Sequence, residues 1–381
     1  MPVAAALVLS ALVLRAADRY YYRDSDRVLR LLRLVPAQPG QDRGYYRRFD
    51  AIFAWAPFAW VWCDIFAALH LAKLVGSPLA WVPVAIFVGG RFRALQEVSH
   101  AAVHNGLCRS RGYQWALANV AVQWPLFRPD MHYRFAAHVT EHHAHANEPG
   151  EDPNIGRFQR IGVIPGLSRA QWRRKVWYPL SPIGLAETAR GVAESTLLKN
   201  KRPFMVLPRV GAVAAAVALV IWDAGWFGLG AGFVLPLLVV YPFFSWISLL
   251  AEHRWFVRCE ALERKARECI NGRPTDYRGA LGVALEHLIF PFSDHYHLAH
   301  SLYPLLRWNY LPAVDRALKA GNPEYARYAS LGLIRASGDR EAALSELRAR
   351  LTVPGYHDIA DWAQPGTRTC PPQREMVEMG A

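Results

Sequence analysis

Four stretches of this chain, 51–74, 79–90, 204–222 and 227–250, are apolar over most of their length. Runs of this kind restrict the fold more than any other feature. A bilayer interior ~30 Å thick takes ~20 apolar residues in a helix to cross, and backbone polar groups inside it must be satisfied within the helix itself. The first two runs are joined by "VGSP" (75–78) and the last two by "DAGWFG" (223–228), both short turns. The expectation is an all-α integral membrane protein with four transmembrane helices in two hairpins. The second run is short for a bilayer, so its helix is expected to continue through "RFRALQEVSHAAVHNG" and lift His100 and His104 beyond the membrane.

Charge supports that layout. Lys and Arg number 44 against 31 Asp and Glu, a formal net charge of +13. In a soluble chain that excess would suggest nucleic acid as a partner. Here the basic residues lie between the apolar runs, and ten of them against two acids fall in 154–202. This is the pattern of cytoplasmic loops facing anionic headgroups, so the expected partner is the lipid bilayer and not nucleic acid. Four crossings put both termini and every histidine cluster on the cytoplasmic side. The apolar start, "MPVAAALVLSALVLRAADRY", lacks a basic lead and reads as an interfacial helix. Asp64 and His70 fall inside the first run, where ionisable residues are suspects for function; pairing with a neighbouring helix accounts for Asp64 equally well. The five cysteines are scattered without a C-x-x-C pair and read as reduced thiols. The chain divides into an N-terminal interfacial segment (1–49), a membrane domain (50–310) and a C-terminal cytoplasmic helical extension (311–381), in which "DREAALSELRARLTV" has helical periodicity and the residues after Pro365 read as a disordered tail.

Twelve of the fourteen histidines lie between 100 and 300. They fall in clusters: His100 and His104; His138, His142 and His143; His297 and His300. Residues four apart share a helix face, so His138 and His142 are expected to grip one ion and His143 to reach a second. Imidazole suits iron, zinc and copper. One zinc needs about three protein ligands, usually with a general base nearby, and the chain has no H-E-x-x-H. A metal transporter would carry its histidines within the spans. Both rivals therefore fit these clusters poorly.

These clusters, with the residues around them, resemble the membrane fatty acid desaturase family and its hydroxylase and ketolase relatives. "GRFRALQEVSHAAVHNGLCRSR", "YRFAAHVTEHHAHANEPGEDPN", "AEHRW" and "HYHLAHSLYP" resemble that family's motifs in order, over roughly 91–304. The resemblance implies a cytoplasmic helical cap holding two iron ions, with dioxygen as co-substrate. It implies His100, His104, His138, His142, His143, His297 and His300 as ligands. Ser301 stands where the family has a further histidine. His253, His295, His287 and Asp294 are the candidates to make up for it, with His253 first. Arg134 and the acids Glu141, Glu148, Glu151 and Asp152 are candidates to orient imidazoles, the alternative being a solvated charged loop. The implied substrate is a fatty acyl chain, as lipid, CoA or carrier-protein ester, and the implied reaction is desaturation, with hydroxylase or ketolase chemistry as the alternative. No haem, flavin or dinucleotide motif is present, so a separate electron donor such as a ferredoxin is implied, and the basic stretch 169–175 is a surface on which it could dock. The implied setting is a bacterial inner membrane.

Overall fold

A helix that must end sharply inside a lipid-facing hairpin needs a residue free to take a left-handed conformation. Gly76 supplies it, at φ 69°, capping the helix Ala56–Val75. Pro78 then opens the single turn Pro78–Ala80 that leads into Trp81–Val103. The computed structural model describes residues 1–34, 46–197, 205–257, 259, 263–335 and 340–356. The described residues are mostly helical. We label Pro2–Tyr21 α1, Ala56–Val75 α2 and Trp81–Val103 α3.

Three helical segments are long and apolar enough to cross a membrane: Asp50–Val75, Pro78–Val103 and Val206–Glu252. The third has 47 residues, about twice what one crossing needs. It is broken at Gly225, whose φ of 74° and ψ of −177° no helix permits. The break comes inside "DAGWFG", where a turn between two spans was expected. Beyond it, π-helical turns at Gly230–Val234 and Pro236–Val240 lead into Tyr241–Glu252. The two segments pack closely because glycine faces them: a Cβ on Gly89 of α3 would overlap the Val240 side chain.

The first helix differs from the interfacial element expected. α1 packs lengthwise on α2 in the most extensive helix–helix contact of the structure. Tyr21 stacks on Phe53 at 4.3 Å, Tyr22 donates to Asp50 at 2.8 Å, and further along Arg15 pairs with Asp64. Positions rising along α2 thus meet positions falling along α1, so the two run antiparallel. Buried Ala4 and Ala11 allow the close approach, while Val8, Leu9, Leu12 and Val13 stay exposed. Asp64 also accepts from Arg91 at 3.3 Å, which gives this intramembrane carboxylate a structural role. At the far end of α2, His70 lies 2.8 Å from Asp223, just before the Gly225 break.

Polar segments close over one end of the apolar helices. Asp130 caps the helix starting at Met131, accepting from His132 N and Tyr133 N at 3.0 Å each. Arg111–Ala118 packs on α3. The C-terminal part is not a separate body: Leu311–Gly321 packs on His297–Leu302, and Ala343–Thr352 on Tyr241–Glu252. A second core joins Ala343–Thr352 to Tyr241–Glu252 and Pro153–Ile161, with Trp246, Trp255, Phe158 and Leu347 all closed to solvent. The expected tail after Pro365 lies outside the described residues.

Candidate metal centre

Four segments that are remote in sequence deliver the histidines. The last turns of α3 carry His100 and His104, four residues apart and so on one face. Glu97, one turn earlier, lies 2.8 Å from His100 Nδ1 and leaves Nε2 pointing into the protein. Glu97 is itself held by Arg93, which also bonds Ser248 at 2.8 Å and Asp294 at 2.7 Å.

The helix from Met131 widens into a π-helical segment over Ala136–His142. Closure from i to i+5 changes which residues align. His138 therefore meets His143, with Nε2 atoms 3.2 Å apart. The expected pairing of His138 with His142 on one ion assumed an α-helical repeat, and the structure puts these two in different groups. His142 turns to the other side. Its Nδ1 lies 3.0 Å from Asp152, which also accepts from Asn147 N at 2.8 Å and caps Pro153–Ile161 through Asn154 N at 2.9 Å.

His253 leaves the end of Tyr241–Glu252 in an extended conformation and bridges to Gly272. Its carbonyl accepts from Arg273 at 2.7 Å, and its Nε2 lies 2.9 Å from His297 Nε2. His297 and His300, three apart on His297–Leu302, divide between the two groups.

The outcome is two adjoining sets. His100, His104, His138, His143 and His300 present ring nitrogens all within 4.8 Å of one another. His142, His253 and His297 present ring nitrogens, and Glu252 a carboxylate oxygen, within the same distance of one another. A third, smaller set joins Glu97, His100 and Asp294. The first two gather all eight histidines singled out in the sequence, counting His253. Ser301 belongs to neither; it is fully buried and its hydroxyl has no partner. His287 is exposed, with Nδ1 on the Val283 carbonyl. His295 packs on Tyr296 and lies 3.7 Å from Glu286. Asp294 holds Arg93 and Ser248, and Arg134 donates to Ser99 Oγ at 2.6 Å. Of the four acids proposed to orient imidazoles, Asp152 contacts His142, while Glu148 serves His145, at 2.8 Å, and Arg267. Glu97 and Glu252 had not been singled out as site residues. For Glu97 the signal was its place three residues before His100 on a helix.

The donor set suits a cation. Buried ring nitrogens without a partner occur on His104, His142, His253 and His300, and buried polar atoms are ordinarily satisfied. Burial and neighbouring imidazoles push His104, His138, His143, His253, His297 and His300 well below the usual histidine range. They are therefore neutral, the form that ligates a metal. Burial also pulls His142 down, but Asp152 outweighs it and raises this imidazole.

The structure thus sets helices long and apolar enough to cross a membrane beside clustered histidines that could hold metal ions. Residues 76–332 match the family model for fatty acid desaturases, and the chain belongs to that family. It is also similar to the dihydrorhizobitoxine desaturase of Bradyrhizobium elkanii, 25% identical over 285 residues that cover 70% of this chain and 75% of that protein. Membership of that family makes the chain a desaturase-type oxidoreductase.

Proposed function

We propose that the chain is a diiron, dioxygen-dependent desaturase. The observation that carries this reading is the pair of adjoining sets, eight imidazoles drawn from four segments. In it His100, His104, His138, His143 and His300 hold one iron. His142, His253 and His297, with Glu252, hold the other, and His253 does the work that Ser301 cannot. Two irons held by neutral imidazoles supply reductive activation of dioxygen and removal of hydrogen from an unactivated C–H bond, which no side chain performs alone. The protein's own part is placement. Glu97 fixes the His100 ring and Asp152 the His142 ring, each through Nδ1, so that Nε2 is presented inward; such supports typically matter 10–100-fold for metal affinity. Arg93 ties Glu97 to Asp294 and Ser248, linking α3 to two other segments of the site.

The site faces the basic side of the membrane, which we assign as the cytoplasmic face of a bacterial inner membrane. Electrons come from a separate acidic carrier of the ferredoxin kind. Exposed Arg169, Arg173 and Arg174 on Arg169–Val176 offer it a docking face. The family description names fatty acids, and the similar protein is named for dihydrorhizobitoxine. The test is metal content: purified protein supplied with ferrous iron should bind two irons per chain and consume dioxygen when given an electron donor. One zinc per chain, or occupancy that varies with whatever metal is supplied, would rule the proposal out.

A further inference from the structure

A cavity of about 340 Å³ opens directly onto both histidine sets, with His100, His138, His142 and Glu252 in its wall. A long acyl chain would require apolar walls, because nothing is gained by moving methylenes from water to a surface of guanidinium, amide and carboxylate groups. These walls are mixed: aliphatic stems and ring faces contribute about as much lining surface as polar atoms do. Apart from Ala137, Leu249 and two prolines, every lining residue carries a polar side-chain group.

Arginine dominates the lining. Arg93 is neutralised by Glu97 and Asp294. The other three are not. Arg128 donates to the neutral Tyr241 hydroxyl, and its Nε has no partner. Arg134 donates to Ser99 Oγ and the Gln96 carbonyl. Arg157 lies 5.2 Å over the Trp246 ring. None of the three forms an ion pair among the described residues. Burial, with Arg134 and Arg93 close by, pulls Arg128 down to about 9; burial, and Arg93 acting against Glu97, pulls Arg134 down to about 10. Three buried guanidinium groups without an ion pair among the described residues, gathered along one cavity, call for an anion. Metal ions at the neighbouring sets would add to that demand.

We propose that this cavity binds a compact, polar, carboxylate-bearing substrate, held through its carboxylate by Arg128, Arg134 and Arg157, in place of a long fatty acyl chain. The proposal rests on the desaturase reading and names the substrate class for it. The anion is anchored at the arginine wall, and the carbons a few bonds away are presented at the histidine wall. A cavity of this volume is at the small end for ligand sites and takes in the whole molecule. Specificity then comes from charge pairing, for which guanidinium is the suited donor.

The test is binding to iron-loaded protein in detergent, measured by calorimetry. The probes are a panel of short-chain carboxylic and amino acids, their methyl esters, inorganic phosphate, palmitate and palmitoyl-phospholipid vesicles. At least one short carboxylate should bind, and its uncharged ester should bind at least about tenfold more weakly, as expected for loss of a charged hydrogen bond. Arg128→Gln and Arg157→Gln should abolish that acid-over-ester preference with iron content unchanged, and Arg128→Lys should keep part of it. A merely structural role for these arginines would not move the preference. Failure of every short carboxylate to bind would overturn the proposal. So would tight binding of palmitate or palmitoyl lipid that Arg128→Gln leaves intact. Arginine-dependent binding of phosphate and phospholipid alone would also overturn it, since the cavity would then be a headgroup site. Carboxylate binding by a protein that takes up no iron would refute the diiron reading and leave this one standing.

Discussion

Replacing Glu346 by Gln should loosen the metal site from a distance, and the size of the effect can be worked out. Glu346 lies on Ala343–Thr352 and is 8% exposed. It accepts from Arg254 at 2.7 Å, from Arg350 at 2.5 Å and from Arg273. Arg273 in turn donates to the carbonyl of His253 at 2.7 Å, so one carboxylate ties the C-terminal helix to a histidine of the second set. Burial pushes the Glu346 carboxyl up, but Arg273, Arg350 and Arg254 outweigh it and hold it at about 2 against an ordinary 4.5. A depression of about 2.5 units corresponds to about 3 kcal/mol at 1.36 kcal/mol per unit. Because the folded-state value is the lower one, this stability is present above pH about 4.5 and is lost as pH falls towards about 2. The Gln variant also removes one anion shared by three buried guanidinium groups, which places the cost at neutral pH at about 3–5 kcal/mol. Thermal unfolding in detergent, followed by tryptophan fluorescence, should show a drop of at least about 5 °C at pH 7. The gap between variant and wild type should close as the pH is lowered through this window. Amide exchange should rise first in 343–352 and at His253–Trp255. A variant indistinguishable from wild type at pH 7, or a gap that does not narrow in acid, would refute the assignment of Glu346 as the anion of this network.

Two further outcomes are expected. His253→Ala should lose iron as severely as His297→Ala, since the two Nε2 atoms lie 2.9 Å apart, while Ser301→His should lower the melting temperature because an imidazole must be forced into a fully buried site at about 1–3 kcal/mol; full iron in His253→Ala together with tighter iron binding in Ser301→His, both measured by metal analysis, would show that the missing ligand belongs at 301. Reporter fusions should read the inner face after Arg174 and the outer face after Val75; an outer-face signal after Arg174 would refute this topology.

How much of this was legible depends on the range over which each feature is encoded. Apolar runs and i, i+4 spacing are local, and they gave the hairpin turn at Gly76, the turn region at Gly225 and the shared face of His100 and His104. The same local rule failed one cluster later. Nothing in "AAHVTEHH" announces a π-helical segment, yet that widening pairs His138 with His143 and sends His142 across to His253 and His297. Asp64 was ambiguous for the same reason: its partners Arg15 and Arg91 come from two other helices. The arginine wall was further out of reach. Arg93 and Arg134 fall inside the histidine motifs, where Arg134 reads as a support for an imidazole, while Arg128 and Arg157 stand outside those motifs, so nothing along the chain says that the four converge on one cavity. The residues that mark the reaction recur at short spacings because one helix must offer several ligands to one ion. Those that choose the substrate need only converge in space. A motif can therefore place this chain among the desaturases while its cavity argues for a substrate that the family's description does not name.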